Sequence, residues 1–222
     1  MTDRLCLFSY WRSSAAYRVR IGLNLKGLPY EQFPVHLVRD GGDQHKPAFR
    51  ATNPQGLVPV LEHGQRMLRQ SMAILEYLDE VWPDPPLLPA TARDRQRVRA
   101  LAQVVACDIH PLNNLRILQY FEREWHVPQP ERDEWVRHWI ILGLDAFEAM
   151  LADHPSTGEF CDGTTPTLAD ACLVPQLYNA RRFALDIARW PTIQRIEAAC
   201  LAHPAFDAAR PENQPDAPER AS

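Results

Sequence analysis

The sequence has 222 residues, of which 45% are hydrophobic, and a formal net charge of −4 at pH 7. This length allows one large domain or two small ones, with an ordinary buried core. The slightly negative charge argues against a nucleic-acid partner. No apolar run is long enough to cross a membrane, and the N-terminus lacks the apolar core of a signal peptide, so we expect no membrane association.

The five cysteines are widely scattered, at positions 6, 107, 161, 172 and 200. There is no Cys-x-x-Cys pair and no Cys/His cluster with the spacing of metal ligands, so we expect no metal site. An odd and dispersed set of cysteines is typical of reduced thiols. This composition favours a cytoplasmic protein over a disulfide-bonded one.

The segment from Leu5 to Gly27 predicts a strand, a sharp turn and a helix. Ser13 and Ser14 place hydroxyl groups where this helix begins. A helix start offers unpaired backbone N–H groups and partial positive charge, which stabilise a bound anion. A hydroxyl there can donate a hydrogen bond to a thiolate or a carboxylate. The alternative is that both serines only cap the helix.

The next elements are a strand over 30–37, predicted to be parallel to the first, and a short, imperfect helix over 44–51. Pro59 follows Val58 at the start of an apolar strand, where it cannot donate to a sheet. A cis Val58–Pro59 bond would turn the backbone N–H and C=O of Val58 outward, toward an extended peptide-like ligand. An ordinary trans proline at a sheet edge is the alternative.

A hairpin turn at His63–Gly64 leads to a short strand over 67–69 and an amphipathic helix over 70–80. Gln70 and Ser71 lie at its start and form a second site favourable to anions. Residues 1–82 therefore predict a compact α/β domain of the thioredoxin type. Four prolines between positions 82 and 89 indicate a stiff linker, which we place at 83–91.

Residues 92–210 predict an all-helical domain, and Pro111 should break its first long helix. A second helix is predicted over 131–153 and a last one over 191–201. Thr167 and Asp170 have the spacing of a helix cap closed by a first-turn carboxylate, a structural role. Residues 211–222 are polar and contain three prolines, so we expect a loosely held tail.

Four short sequences together resemble the zeta class of glutathione transferases, which includes maleylacetoacetate isomerases and bacterial maleylpyruvate isomerases. They are Ser-Ser-x-x-x-Arg-Val-Arg-Ile from Ser13, Asn-Pro-x-x-x-Val-Pro from Asn53, Gln70-Ser71 with its helix, and Thr-Leu-Ala-Asp from Thr167. The resemblance extends from about residue 5 to 211. It implies a thioredoxin-like N-terminal domain, an all-helical C-terminal domain and a homodimer.

The resemblance also implies glutathione as the cofactor, with its thiolate acting as the nucleophile on the cis double bond of a small dicarboxylate. Ser13 is then the hydroxyl that activates the thiol and Ser14 the second family serine, while Ala15 replaces the usual cysteine. The family positions that hold glutathione correspond to Gln44, Val58, Gln70, Ser71, His110 and Asn114.

Two carboxylates on the substrate call for guanidinium groups, and Arg12, Arg116 and Arg182 are placed to serve. Taken singly, each of these arginines is more typical of a surface charge, and the resemblance implies that at least two of the three line the substrate pocket. A lone histidine before a proline, such as His110, is usually structural. Arg18 and Arg20 are expected to make structural or interface pairs.

Three functions remain open at this stage. The first is isomerisation of maleylacetoacetate to fumarylacetoacetate in tyrosine breakdown. The second is isomerisation of maleylpyruvate in gentisate breakdown. The third is a binding module of the same fold without catalysis, which is disfavoured because such modules tend to lose the activating hydroxyl and the Gln-Ser pair.

Overall fold

The structure is a computed structural model that describes residues 4–218. The chain divides into two compact units. The first contains the described residues up to Leu87 together with those from Ala202 onward, and the second runs from Leu88 to Leu201.

The first unit is built on a mixed sheet of four strands in the order β2-β1-β3-β4. β1 runs parallel to β2 and antiparallel to β3, and β3 pairs antiparallel with β4. Its elements are β1 (Leu5–Ser9), α1 (Ser14–Leu25), β2 (Glu31–Pro34), α2 (Pro47–Thr52), β3 (Val60–His63), β4 (Arg66–Arg69) and α3 (Ser71–Val81). Leu7, Val19, Leu61 and Ile74 form the core between the sheet and the helices α1 and α3. The predicted thioredoxin-like domain is confirmed.

The C-terminal segment, from Ala202 onward, packs against the N-terminal part of the first unit. Helix α9 (Pro204–Ala209) lies against α1, and Asn24 donates a hydrogen bond to the Ala205 carbonyl at 3.0 Å. Gln214 is buried, and its amide donates to two carbonyls of the same segment. We expected residues 92–210 to form one helical domain and 211–222 a loose tail. The described part of the tail is instead held by these hydrogen bonds, and residues 219–222 lie outside the described residues.

The second unit is helical, as predicted. Its elements are α4 (Ala92–Gln103), a π-helical segment (Val104–Ile109), α5 (Leu115–Arg123), α6 (Gln129–Ala152), α7 (Leu168–Arg182) and α8 (Pro191–Ala202). The long helix predicted from residue 92 is interrupted around Pro111, because proline lacks the N–H that a continuing helix needs. Trp135 of α6 donates its indole N–H to the Leu112 carbonyl at 2.7 Å and so anchors this interruption.

Helix α7 begins with a closed capping box. The Thr167 hydroxyl accepts from the Ala169 N–H, and Asp170 accepts from both the backbone N–H and the hydroxyl of Thr167, at 2.8 and 2.9 Å. The other carboxylate oxygen of Asp170 accepts from the backbone N–H of Cys161 at 2.8 Å. Burial raises the pKa of the Asp170 carboxyl, and these hydrogen bonds oppose the rise. Asp170 therefore connects the start of α7 to the loop before it.

We predict that Asp170→Ala lowers the free energy of unfolding by about 3 kcal/mol, because it leaves three buried donors without an acceptor. Chemical denaturation of both proteins measures the difference. The matched control is Asp186→Ala, since Asp186 also caps a helical turn, through the Ala188 N–H, but is exposed. The control should cost less than about 1 kcal/mol. Equal losses in the two variants would contradict the special role of Asp170.

Candidate functional site

The candidate residues of the first unit gather at one edge of its sheet. Phe8 pairs with Val60, and Val60 pairs with Arg69. The end of β1, the beginning of β3 and the end of β4 therefore meet at this edge. Ser13, Val58 and Gln70 each lie within a few residues of one of these strand ends. The register of the sheet thus brings together three segments that are far apart in the sequence.

Ser13 is the N-cap of α1, and its Oγ accepts a hydrogen bond from the Ala16 N–H at 3.2 Å. Its own N–H donates to the Tyr10 carbonyl, which closes the turn. A hydroxyl that accepts from the helix keeps its proton for another acceptor. Ser13 is only partly buried, so this proton can reach a ligand. Ser14 is the first residue of the helix and is also partly buried.

The turn that carries Ser13 is held by Arg20, which is fully buried. Its guanidinium donates to the Trp11 carbonyl at 2.9 Å, to the Ser9 hydroxyl at 3.2 Å and to the Ala209 carbonyl at 3.1 Å. Arg20 was expected to make a structural pairing, and these hydrogen bonds, which clamp the turn before Ser13, are that pairing.

Asp216 holds the same turn from the C-terminal segment, because its carboxylate accepts from the Trp11 N–H at 2.9 Å. No sequence pattern predicts this contact. Asp216 lies in a polar, proline-rich stretch with no helical or strand periodicity, and 205 positions separate it from Trp11.

The segment around Val58 offers groups that a peptide could bind. The Val58–Pro59 bond is cis, and Val58 precedes the pairing of β3 with β1, which begins at Val60. Gln44 is buried beside this segment, where Gly56 approaches its backbone carbonyl. The side-chain N–H of Gln44 donates to the Leu37 carbonyl at 3.0 Å, while its Oε1 has no hydrogen-bond partner within residues 4–218. The buried Oε1 of Gln44 is thus left with unused acceptor capacity.

Gln70 and Ser71 form the start of α3. Gln70 has a positive φ of 69° with a ψ of 115°, a conformation that non-glycine residues rarely adopt and that is found mainly at functional sites. Its side chain does not cap the helix and instead donates to Gln55 at 2.9 Å. Ser71 is buried, and its Oγ accepts from the Arg18 guanidinium at 3.2 Å. The start of α3 is thus a second place where an anion would be stabilised.

The loop that carries Gln44 is closed by Asp43. Its carboxylate accepts from Lys46 at 2.6 Å and from the backbone N–H of His36 at 3.1 Å. The hydrogen bond from Lys46, followed by the one from His36, holds the pKa of Asp43 below its ordinary value. The carboxylate is therefore fully charged at neutral pH, and its contribution to this loop is lost only as the pH falls through the lowered pKa.

The remaining candidate residues belong partly to the first unit and partly to the second. Arg12 of the first unit lies with its guanidinium 5.5 Å from the ring centre of Trp11. In the second unit, the Asn114 amide lies 3.4 Å from His110 Nε2 and its Oδ1 accepts from the Arg116 N–H. The Arg116 side chain is exposed on α5, and Arg182 lies on another helix, at the end of α7, where it donates to Asn179.

Most thiols of the protein are shielded from a ligand by burial. Four of the five cysteines are buried, and the fifth, Cys107, is exposed. Burial raises the pKa values of Cys161 and Cys200, which keeps both thiols protonated at neutral pH. Residues 4–218 contain no group of three or more side chains that could hold a metal ion. Within the same residues, no helix has both the length and the apolar composition to span a membrane.

The first unit therefore presents two helix starts with hydroxyl groups, a buried amide acceptor and an extended segment along one sheet edge. This arrangement, followed by a helical unit, defines the class of the glutathione transferases. The chain belongs to the glutathione S-transferase family. The family model for the N-terminal domain matches residues 7–86, and the model for the C-terminal domain matches residues 140–213.

Individual relatives are similar over nearly their whole length. A probable maleylacetoacetate isomerase from Vibrio cholerae is 54% identical over 213 residues, which are 96% of this chain and 98% of that protein. The holo structure of a bacterial maleylpyruvate isomerase of the zeta class superposes with a TM-score of 0.93 at 49% identity, covering 96% of this chain and 100% of the other.

A third relative has been solved with ligands. The maleylacetoacetate isomerase of Methylobacterium extorquens AM1, with malonate and glutathione bound, superposes with a TM-score of 0.92 at 45% identity. The match covers 96% of this chain and 99% of that chain.

We predict that Asp43→Asn speeds amide hydrogen exchange in residues 36–46 at neutral pH and weakens glutathione binding about threefold. Both effects are expected because the loop around Gln44 loses the charged hydrogen bonds that the Asp43 carboxylate makes with Lys46 and His36. Exchange measured by mass spectrometry and calorimetric titration test the two effects. The matched control is Asp40→Asn in the same loop, since the Asp40 side chain is 83% exposed. A control that loosened the loop as much as Asp43→Asn would contradict this role.

Proposed function

We propose that this protein is a glutathione-dependent cis–trans isomerase that converts maleylacetoacetate to fumarylacetoacetate. The observation that carries the proposal is the hydroxyl of Ser13, which caps α1 and keeps its proton for a ligand. The similarity to isomerases over nearly their whole length supports the choice of reaction. When bound, glutathione supplies the thiolate nucleophile that makes rotation about the double bond possible.

The chain supplies the environment that keeps this sulfur charged. A free thiol with a pKa of about 8.5 is mostly protonated at neutral pH. The proton of the Ser13 hydroxyl and the N–H groups at the start of α1 favour the anion without a basic side chain, and Ser14 extends this group of donors. Ala15 contributes no thiol, so this corner stabilises a thiolate and carries out no disulfide chemistry of its own.

The remaining residues of the sheet edge suit the rest of the tripeptide. We propose that Gln44 contacts the tripeptide beside Val58, and that Val58, which precedes the first paired residue of β3, pairs with the peptide backbone. Gln70 and Ser71 bind a carboxylate at the start of α3. His110 and Asn114 of the second unit are proposed as further glutathione contacts.

The substrate carries two carboxylates, and we propose that arginines bind them. Arg12 directly precedes Ser13, so its guanidinium belongs to the same turn as the activating hydroxyl. Arg116 and Arg182 are proposed for the same role, each on its own helix of the second unit. A guanidinium matches the geometry of a carboxylate with two parallel hydrogen bonds, which gives arginine an advantage over lysine here.

Maleylpyruvate is the alternative substrate, and the similarity to a maleylpyruvate isomerase favours it as a second candidate. We further propose that the protein acts in tyrosine breakdown in the cytoplasm, and that it forms a homodimer. The cysteines form no disulfide within residues 4–218, which supports the reducing compartment. Light scattering after size-exclusion chromatography tests the dimer.

We predict that wild-type turnover of maleylacetoacetate requires glutathione and that Ser13→Ala lowers kcat at least 100-fold, because the thiolate loses its hydroxyl donor. Absorbance assays with maleylacetoacetate and with maleylpyruvate measure both effects and compare the two substrates. Ser13→Thr keeps the cap and the donor and should retain part of the activity. Ser13→Asp keeps the cap but offers no proton, and should be inactive.

The three variants of Ser13 distinguish its role as the helix cap from its role as the hydrogen-bond donor to the thiolate. An active Ser13→Asp protein would show that the cap alone is needed, and unchanged turnover by Ser13→Ala would remove Ser13 from its role. A wild-type protein that binds glutathione but turns over neither substrate would favour the non-catalytic binding module.

For Arg12 we predict that Arg12→Met raises KM for the dicarboxylate about tenfold while glutathione binding changes less than twofold, because the guanidinium binds a substrate carboxylate. Steady-state kinetics and calorimetry separate these quantities. Arg12→Lys should give an intermediate KM. Loss of glutathione affinity without a change in KM would contradict this assignment.

A further inference from the structure

Arg18 places a permanent positive charge inside the first unit. Its relative exposure is only 2%, although arginine is charged at any physiological pH. A buried charge is costly unless polar or oppositely charged groups surround it. One of its hydrogen bonds runs from Nη1 to Ser71 Oγ at 3.2 Å. The guanidinium of Arg18, on α1, thereby contacts the start of α3.

The direction of this hydrogen bond fixes what Ser71 can do. A guanidinium only donates, so the Oγ of Ser71 must accept from it. The proton of the Ser71 hydroxyl is then left for an acceptor other than Arg18. A hydroxyl that accepts from a charged donor also becomes a stronger donor itself, because successive hydrogen bonds polarise one another.

The position of Ser71 indicates which kind of acceptor this is. Ser71 is the first residue of α3, where backbone N–H groups and the helix dipole favour negative charge. The side chain of Gln70, the residue at the N-cap, makes no capping hydrogen bond, so it does not occupy this position. Both Arg18 and Ser71 are buried, so their electrostatic effect is only weakly screened by water. The acceptor that fits is a carboxylate.

We propose that Arg18 is a positioning residue for glutathione, which holds and polarises the Ser71 hydroxyl so that this hydroxyl donates to a carboxylate of the tripeptide. The inference rests on the proposed function, because glutathione is the ligand of this edge. It assigns to Arg18 a role in ligand binding beyond the structural pairing expected from the sequence.

Arg20 provides the contrast on the same helix. It is equally buried, but its guanidinium donates to two carbonyls and a hydroxyl of the turn before Ser13 and to the Ala209 carbonyl. These hydrogen bonds hold the turn before Ser13 and join it to the C-terminal segment. Replacing Arg20 should therefore disturb the fold and weaken the binding of glutathione and of its analogues by the same factor. Replacing Arg18 should weaken the binding only of those ligands that carry the carboxylate bound by Ser71.

The test is calorimetric binding of three ligands to the full chain. They are glutathione, an analogue without the γ-glutamyl carboxylate (4-aminobutanoyl-cysteinyl-glycine) and an analogue with the glycine carboxylate converted to an amide. We expect the wild type to bind one of the analogues at least tenfold more weakly than glutathione. Arg18→Met should weaken glutathione binding about tenfold and leave the affinity for that analogue unchanged within twofold. Arg18→Lys should restore part of the affinity for glutathione.

Further variants keep the outcome clear. Ser71→Ala should lose the same carboxylate preference with Arg18 intact, and it tests the proposal even where Arg18→Met fails to fold. Arg20→Met is the control, which should weaken all three ligands by a common factor. The proposal is overturned if Arg18→Met binds glutathione like the wild type, if it weakens all three ligands equally, or if Ser71→Ala keeps the preference. A wild type that binds no glutathione would instead overturn the proposed function itself.

Discussion

The functional account depends on the exposed start of one helix. The N–H groups at the beginning of α1 carry partial positive charge, and Ser13 adds a hydroxyl whose oxygen is engaged by the helix and whose proton is not. These N–H groups and this hydroxyl proton stabilise a sulfur anion placed there. This arrangement suits a nucleophile that belongs to a bound ligand, because the site has to favour charge on that ligand. Burial, by contrast, raises the pKa values of the thiols of Cys161 and Cys200 and keeps both protonated.

Most of the first unit positions that helix start. Arg20 clamps the turn before Ser13 from inside, and Asp216 holds the same turn from the C-terminal segment. Arg18, two residues before Arg20, is directed at the start of α3 instead. The two buried guanidinium groups of α1 thus bind two different segments: Arg20 binds the turn before Ser13, and Arg18 binds the start of α3. Because each is buried, its hydrogen bonds are strong, and the cost of removing one partner is correspondingly large.

The sequence predicted the elements far better than their side-chain partners. The strands, the helices and the interruption near Pro111 follow from apolar periodicity and from proline chemistry, which are local properties. Ser13 could be proposed because of the resemblance to the zeta class, since a serine at a helix start is by itself more often only a cap. The contact between Trp11 and Asp216 could not, because it joins residues 205 positions apart and Asp216 lies in a stretch without helical or strand periodicity.

Local sequence patterns also failed to predict how the C-terminal segment packs and what Arg18 contacts. Polar, proline-rich composition suggested a loose tail, yet Gln214 is buried, because its amide finds two backbone carbonyls to donate to. Arg18 and Arg20 are two positions apart and chemically identical, so no local pattern separates the one that contacts Ser71 from the one that holds the turn. Such assignments depend on tertiary contacts.

The central claim is that the start of α1 and the Ser13 hydroxyl keep the sulfur of glutathione charged. Its most direct test is a titration of the bound thiol, followed by the ultraviolet absorbance of the thiolate in the wild type and in Ser13→Ala. The account predicts that binding to the wild type lowers the thiol pKa well below the free value of about 8.5, and that the substitution raises it again. A bound thiol that titrates like free glutathione in the wild-type protein would contradict the account.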